Sequence, residues 1–398
     1  MEHTIPRPSL AGAASRFVER DYFPLGPRWP CVPRGRAARG AGGARGGRTS
    51  TLSVLAFARS LEAGTFRGPI TSLLSSAWGR FAAAGVVRSL EAPRHTRLMT
   101  VGGATLGGSG KTPLAIACAA ELATAGCRVA LVGHAYRARP GSARLVKVDD
   151  DLAQVGDEAL VAARDLAALG VPVVVAPRRA LAMDLASRFA DVLVLDGVAQ
   201  TTLRASLALL AVDAAEPWGS AQVPPRGDLR APLAALLAAC DLIVTLGTDP
   251  PPAAFPVCRS TPTTHARSYS RGAWVGRTLF RWDSLAGIRV GLLSALSRPE
   301  RIVRALRARG VSLKAVIRAR DHGPFSAGAL AQAARAPVDL WLATDKCAIH
   351  LRAPLPAPVA ILDHEVVLSP LLRARLLSLG SAGHSYGGSP AEANSPAP

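Results

Sequence analysis

A glycine-rich turn between an apolar strand and a helix constrains this chain more than any other feature. Residues 97–101, Arg-Leu-Met-Thr-Val, read as a strand, and Pro113 to Ala125 reads as a helix. Between them runs Gly102-Gly103-Ala104-Thr105-Leu106-Gly107-Gly108-Ser109-Gly110-Lys111-Thr112. Gly-Lys-Thr set between a strand and a helix is the context of a phosphate-binding P-loop. Gly107, Gly108 and Gly110 let the backbone fold tightly, so that its N–H groups converge on phosphate oxygens, and the helix N-terminus adds its positive dipole. In that arrangement Thr105, Gly107, Gly108, Ser109, Gly110, Lys111 and Thr112 surround a nucleoside triphosphate. Lys111 reaches the β- and γ-phosphates, and Thr112 ligates Mg²⁺. Thr105 departs from the general motif, standing where its first glycine is expected. A turn that binds nothing would explain the glycines but not the Lys-Thr that follows them. GTPases add a base-reading N-K-x-D motif, and this sequence has none; Thr344-Asp345-Lys346 is too unlike it.

The rest of the chain fits an α/β fold, a P-loop NTPase-like parallel sheet sandwiched by helices. After the P-loop helix, strands are predicted at 128–133, 171–176, 192–196, 207–213 and 242–246, with helices at 158–169 and 179–189. Short apolar strands alternating with helices imply a parallel sheet covered on both faces. Beyond Asp249-Pro250-Pro251-Pro252, strands at 287–293, 312–317 and 339–343 alternate with helices at 299–309 and 326–334. They imply a smaller C-terminal α/β lobe. The expected division is 1–60, an extension of disordered composition; 61–92, an N-terminal interfacial helix; 93–250, the nucleotide domain; 251–375, the second lobe; and 376–398, a disordered tail. Residues 1–50 carry nine arginines against three acids. No aromatic residue interleaves with the arginines of their Gly-rich run, so a nucleic-acid-binding arm is not expected.

At 61–92, Ile70, Leu73, Leu74, Ala77, Trp78, Phe81 and Ala84 recur at helical spacing, flanked by Arg80 and Arg88. Such a helix either packs on the body of the protein or lies in a membrane interface. No run of about 18 uncharged apolar residues is long enough to span a bilayer. The formal charge of +19 favours an anionic partner, although only four of the 47 basic residues are lysines. None of the six cysteines forms a C-x-x-C pair, which fits a reducing compartment.

The segment Val101 to Pro113 resembles the phosphate loop of the tetraacyldisaccharide 4′-kinase (lipid A 4′-kinase) family, which also has Thr for the first P-loop glycine and Pro after Lys-Thr. Further segments match in order: Val155-Gly156-Asp157-Glu158, Ala176-Pro177-Arg178-Arg179, Asp228-Leu229-Arg230-Ala231-Pro232, Pro299-Glu300-Arg301, Asp321-His322 with Pro324-Phe325, and Thr344-Asp345-Lys346. The resemblance spans about residues 65 to 375. It implies transfer of the γ-phosphate of ATP to the 4′-hydroxyl of a tetraacyldisaccharide 1-phosphate, with Mg²⁺, by a monomer held peripherally by its N-terminal helix at the cytoplasmic face of the inner membrane. It thereby favours the interfacial reading of the helix at 70–88, and an anionic substrate and membrane surface account for the positive charge.

The resemblance implies Asp157 as the base that takes the hydroxyl proton, with His322 as its partner and Lys111 at the phosphates. An aspartate alone is a weak base with a pKa near 4, and a neighbouring imidazole improves it. Without the resemblance, Asp157 reads as a helix N-cap and His322 as a loop histidine. Asp196, at a strand end, is the Mg²⁺ carboxylate, and Tyr136 and Arg230 are the candidate substrate residues. Several family positions differ. Leu195 stands for an aspartate and Ala231 for a glutamate, Ala199-Gln200 replaces Gln-His, and Ala135 and Arg137 replace the glycines beside Tyr136. These replacements leave open a kinase of the same fold acting on another glycolipid, or a non-catalytic nucleotide-binding protein at the membrane.

Overall fold

The computed structural model describes residues 60–61, 64–93, 95–202, 204–248, 261–296, 299–319 and 323–381. Residues 1–59 of the expected N-terminal extension and the segment from 382 onward lie outside these residues, as do Asp321 and His322.

Two large sheets and one two-stranded sheet are built by the described residues. The first has nine strands in the order β17-β10-β9-β8-β2-β6-β3-β5-β4. Its centre is β2 (Arg97–Gly103), flanked by β6 (Val192–Asp196) and β8 (Leu207–Asp213). Outward lie β3 (Val129–Val132), β5 (Val173–Val175) and β4 (Arg144–Leu145) on one side, and β9 (Leu242–Gly247) and β10 (Thr263–Tyr269) on the other. Only the edge pairs β4/β5 and β10/β17 (Glu365–Val367) are antiparallel. Both faces are covered, so the strands read as near-continuous apolar runs. Met99 and Val101 of β2 face α2 (Lys111–Thr124) and α4 (Asp157–Leu166), whereas Leu98 faces α5 (Arg179–Ala186). This alternation follows from the two-residue strand period.

The second sheet has six strands, β12-β11-β16-β15-β13-β14. Its parallel part is β13 (Val290–Ser294), β14 (Leu313–Arg318), β15 (Leu340–Ala343) and β16 (Val359–Leu362). The hairpin β11 (Gly272–Val275) and β12 (Thr278–Arg281) is antiparallel to β16 at one edge. Helices α7 (Pro299–Ala308), α8 (Ala327–Arg335) and the short α9 (Asp345–Ala348) accompany it.

The chain returns to the first sheet at its end, which differs from a division at residue 250. β10 and β17 join the nine-stranded sheet, and α10 (Pro370–Ser381) packs Leu372, Leu376 and Leu379 into the core beside Leu114 and Leu122 of α2. Residues 376–381 are therefore helical rather than part of an unstructured tail. Burial of each of these leucines contributes about 1.5–3 kcal/mol.

The N-terminal stripe forms α1 (Pro69–Val86), followed by β1 (Val87–Arg88), which pairs with β7 (Gln200–Thr201). The face of α1 toward the body is made of small residues. Ser75 is buried and donates its hydroxyl to the Val223 carbonyl at 2.8 Å, and a methyl group on Gly79 would already touch Pro232. The large residues Ile70, Leu73, Leu74, Trp78 and Phe81 all point outward, Ile70 being 73% exposed. No helix among the described residues is long and apolar enough to cross a membrane.

Candidate active site

The P-loop turns where glycine permits it. Gly108 and Gly110 have φ of 71° and 76°, the left-handed region that side chains avoid, and Gly110 is the N-cap of α2. Thr105 is buried; its hydroxyl donates to the Gly107 carbonyl at 2.7 Å and its backbone bridges Leu229. The side chain thus holds a turn of the loop in place, consistent with a threonine where a glycine is usual. Ser109 is buried in the same turn.

At the start of α2, Lys111 Nζ lies 3.3 Å from Thr112 Oγ1 and 3.3 Å from Glu158 Oε1. Burial opposes the ammonium charge, but Asp196 and Glu158 more than compensate and hold its pKa above the ordinary lysine value. Lys111 is therefore charged across the physiological range. The Thr112 hydroxyl donates to Asp196 Oδ2 at 2.7 Å. Asp196 Oδ1 is buried and has no hydrogen-bond partner among the described residues. An orphaned carboxylate oxygen beside the P-loop threonine suits Mg²⁺, which takes one or two protein ligands and completes its shell with phosphates and water. No group of three or more His, Cys, Asp or Glu among the described residues could hold a metal by itself.

These groups open on a cleft of about 2590 Å³ that is also walled by the second sheet's elements. Of the residues expected to meet the acceptor, Tyr136 lines the cleft, 42% exposed, with the Arg137 guanidinium 5.4 Å from its ring centre. Arg230 lines it too, its backbone N–H tied to the Ala104 carbonyl at 2.8 Å. Arg88, Arg179 and His134 complete that wall, and the sequence had not marked them as site residues. Arg179 donates to the Asp196 backbone carbonyl, and burial brings its pKa down to about 10. Burial, then the neighbouring Arg88, lowers Arg230 as well. Burial, then Arg179, lowers His134, so its imidazole is neutral at pH 7. An arginine cluster of this kind, half-buried at Arg179 and Arg230 and exposed at Arg88, is primed for an anionic ligand.

Several side chains of the second lobe reach across the cleft. Lys346 of α9 lies 3.0 Å from the same Glu158 Oε1 that holds Lys111. Arg301 of α7 pairs with Asp213 at 3.0 Å and donates to the Gly108 carbonyl inside the P-loop. His350 Nε2, just after α9, bonds Asp157 Oδ2 at 3.1 Å. Asp157 itself is buried behind the cleft wall at 3% exposure, and its Oδ1 accepts the Glu158 N–H at 2.8 Å. The cap of α4 is Gly156, with Asp157 in the first turn. His322 lies outside the described residues.

Comparison with known proteins gives the family and the fold. The sequence model of the tetraacyldisaccharide-1-P 4′-kinase family matches residues 70–380. The chain belongs to this family. The tetraacyldisaccharide 4′-kinase of Methylobacterium nodulans is 32% identical over 320 residues, covering 76% of this chain and 91% of that protein. The one from Dinoroseobacter shibae is 32% identical over 298 residues, covering 73% and 86%. Among solved structures, LpxK from Aquifex aeolicus in complex with ATP is similar in fold. Its TM-score is 0.58 at 20% identity, with 83% of this chain and 99% of that one covered.

In this fold the two positions where the family resemblance implies acids, Leu195 and Ala231, are apolar. Leu195 is buried in the core under α5 with Met183, on the opposite face of β6 from Asp196. Ala231 is buried with Leu210 and Leu236. Neither replacement leaves an uncompensated charge, and neither disturbs the Lys111–Thr112–Asp196 array.

Proposed function

We propose that this chain transfers the γ-phosphate of ATP to the 4′-hydroxyl of a tetraacyldisaccharide 1-phosphate at an anionic membrane surface. The observation that carries the proposal is the P-loop array, Lys111, Thr112 and the free Asp196 Oδ1, opening on an arginine-walled cleft in a chain of this family. Lys111 leaves Glu158 for the β- and γ-phosphates, where its charge offsets the charge that gathers in transfer. The N–H groups of residues 107–112 cradle the phosphates. Thr112 and Asp196 would hold Mg²⁺, which when bound neutralises phosphate charge and aligns the phosphates for in-line transfer. Tyr136 and Arg230 orient the acceptor, and Asp157 takes its hydroxyl proton, with His322 as the partner implied by the family. Positioning supplies much of the rate, since a fixed pair of reactants saves the entropy of encounter.

The membrane half of the proposal rests on α1. Five large apolar side chains facing water are costly, and each gains about 1.5–3 kcal/mol when it enters an apolar phase. Small residues pack α1 against the body, so the outward stripe is free to enter the interface while the body stays in water. The helix then delivers the cleft, walled by Arg88 at its foot, to a lipid headgroup. A peripheral monomer on the cytoplasmic face, where ATP is available, fits this arrangement.

The test is complementation. A strain depleted of its own tetraacyldisaccharide 4′-kinase should grow on the unaltered chain and fail on Lys111→Ala expressed at the same level. Failure of the unaltered chain, expressed and membrane-associated, favours a different acceptor.

A further inference from the structure

Asp157 is gripped from the other lobe. His350 sits in the turn after α9, its backbone N–H donating to the Cys347 carbonyl at 3.2 Å. Thr344 caps α9, its hydroxyl oxygen accepting the Cys347 N–H. Lys346 and His350 are four residues apart, so they project to one side of this helical turn. They meet two consecutive acids on α4: Lys346 reaches Glu158 at 3.0 Å, and His350 reaches Asp157 at 3.1 Å. Both members of the second pair are buried, with side-chain exposures of 8% for His350 and 3% for Asp157.

With Asp157 ionised, as a base must be, its carboxylate only accepts and His350 Nε2 supplies the hydrogen of this bond. The other carboxylate oxygen accepts the Glu158 N–H at 2.8 Å. Two donors of fixed direction, one on each oxygen, remove the rotational freedom of the carboxylate. A carboxylate oxygen accepts more than one hydrogen bond, so these two donors do not by themselves bar a proton from the group. A base held in one orientation wastes no alignment entropy when its partner arrives.

We infer that His350 is a positioning residue for Asp157, fixing the carboxylate that receives the acceptor's proton. The inference rests on the reading of Asp157 as the base. His350 touches neither phosphate nor sugar in this scheme. It couples seating of the second lobe to the readiness of the base.

The experiment uses the full chain with ATP and tetraacyldisaccharide 1-phosphate in detergent micelles, measuring kcat, both KM values and Tm. His350→Leu should lower kcat by about 10- to 100-fold, the lower part of the range for general-base catalysis, with KM for ATP changed by less than about twofold. His350→Gln, whose amide donates from nearly the same place, should recover most of that loss. In an Asp157→Asn background, His350→Leu should lower kcat by less than about twofold, because residues acting as a unit are non-additive. Wild-type kcat in His350→Leu, or its full loss repeated in the Asp157→Asn background, overturns the inference. If His350→Leu does not fold, His350→Asn replaces it, since the shorter amide falls short of Asp157; kcat equal to that of His350→Gln then overturns it. Wild-type kcat in Asp157→Asn removes the base reading and this inference with it. A strong loss in Asp157→Asn beside unaffected His350 variants removes this inference alone.

Discussion

The two walls of the cleft each present a lysine to the same carboxylate, and they place it by different means. Lys111 is fixed locally: the loop of residues 104–110 before it and one helix after it determine where its ammonium goes. Lys346 depends on topology. It arrives 3.0 Å from Glu158 because β15 and α9 of the second sheet are carried against α4 of the first. Arg301 and His350 cross from the same side. On the proposed reading the P-loop wall carries the phosphate chemistry, and the opposite wall grips Glu158 and Asp157. Glu158 is shared between them, so Lys111 can turn to a phosphate without leaving Glu158 unpaired and buried.

The largest effect that would break this comparison belongs to the P-loop wall. Lys111→Ala should cut kcat/KM by about 10³-fold or more, since one preorganised donor to developing charge is worth about 10²–10³ in kcat and the ground-state contact of Lys111 adds a rise in KM for ATP. A loss no greater than that of Lys346→Ala would make the two walls equivalent. Asp196→Asn should come next, with about a 10²-fold loss and a higher Mg²⁺ requirement in a titration of rate against Mg²⁺. An unchanged requirement would detach Asp196 from the cation.

Lys346→Ala should act more gently. Its ion pair with Glu158 is mostly buried, with exposures of 21% and 12%. Without Lys346, Glu158 competes harder for Lys111, and KM for ATP should rise about threefold to tenfold, equivalent to about 1 kcal/mol. The complementary Glu158→Gln should leave Lys111 freer and lower that KM. A fall in KM for Lys346→Ala would show that the second lobe hinders nucleotide binding rather than assisting it.

The smallest effect concerns stability. Burial raises the Asp345 carboxyl to about 6, Asp363 adding to the shift and Arg164 opposing it. A carboxyl raised on folding stabilises the fold relative to its ionised form at low pH, and that contribution is lost as pH rises through about 6. Asp345→Asn should therefore raise Tm by a few degrees, on the order of 2–5 °C, at pH 8, with the gain shrinking toward zero below about pH 4. A gain independent of pH would assign it to packing.

The same contrast explains what the sequence reveals. The strand, turn and helix at 97–125 were readable because glycine freedom, apolar runs and Lys-Thr all fall within one short stretch. Asp196 was singled out through the family resemblance, as a carboxylate at a strand end, and the 70–84 stripe was readable as a helical period. Which way that stripe faces was not, since the buried face is only Ser75, Gly79 and Val86. β10, Thr-Thr-His-Ala-Arg-Ser-Tyr, carries no apolar run, and its membership in the nine-stranded sheet comes from pairing with β9 and β17. The return of α10 to α2 likewise depends on long-range packing of Leu372, Leu376 and Leu379. His350 carries no local signal of its own; only the meeting of α9 with α4 brings it to Asp157.

The most direct measurement of the central claim is product analysis. The purified chain is incubated with ATP, Mg²⁺ and tetraacyldisaccharide 1-phosphate, and the lipid is examined by mass spectrometry and phosphorus NMR. The account predicts a lipid heavier by one phosphoryl group, carried as a second monoester at the 4′ position, and no such product with Lys111→Ala. Hydrolysis of ATP with the lipid unchanged, or a phosphate placed elsewhere on the lipid, would contradict it.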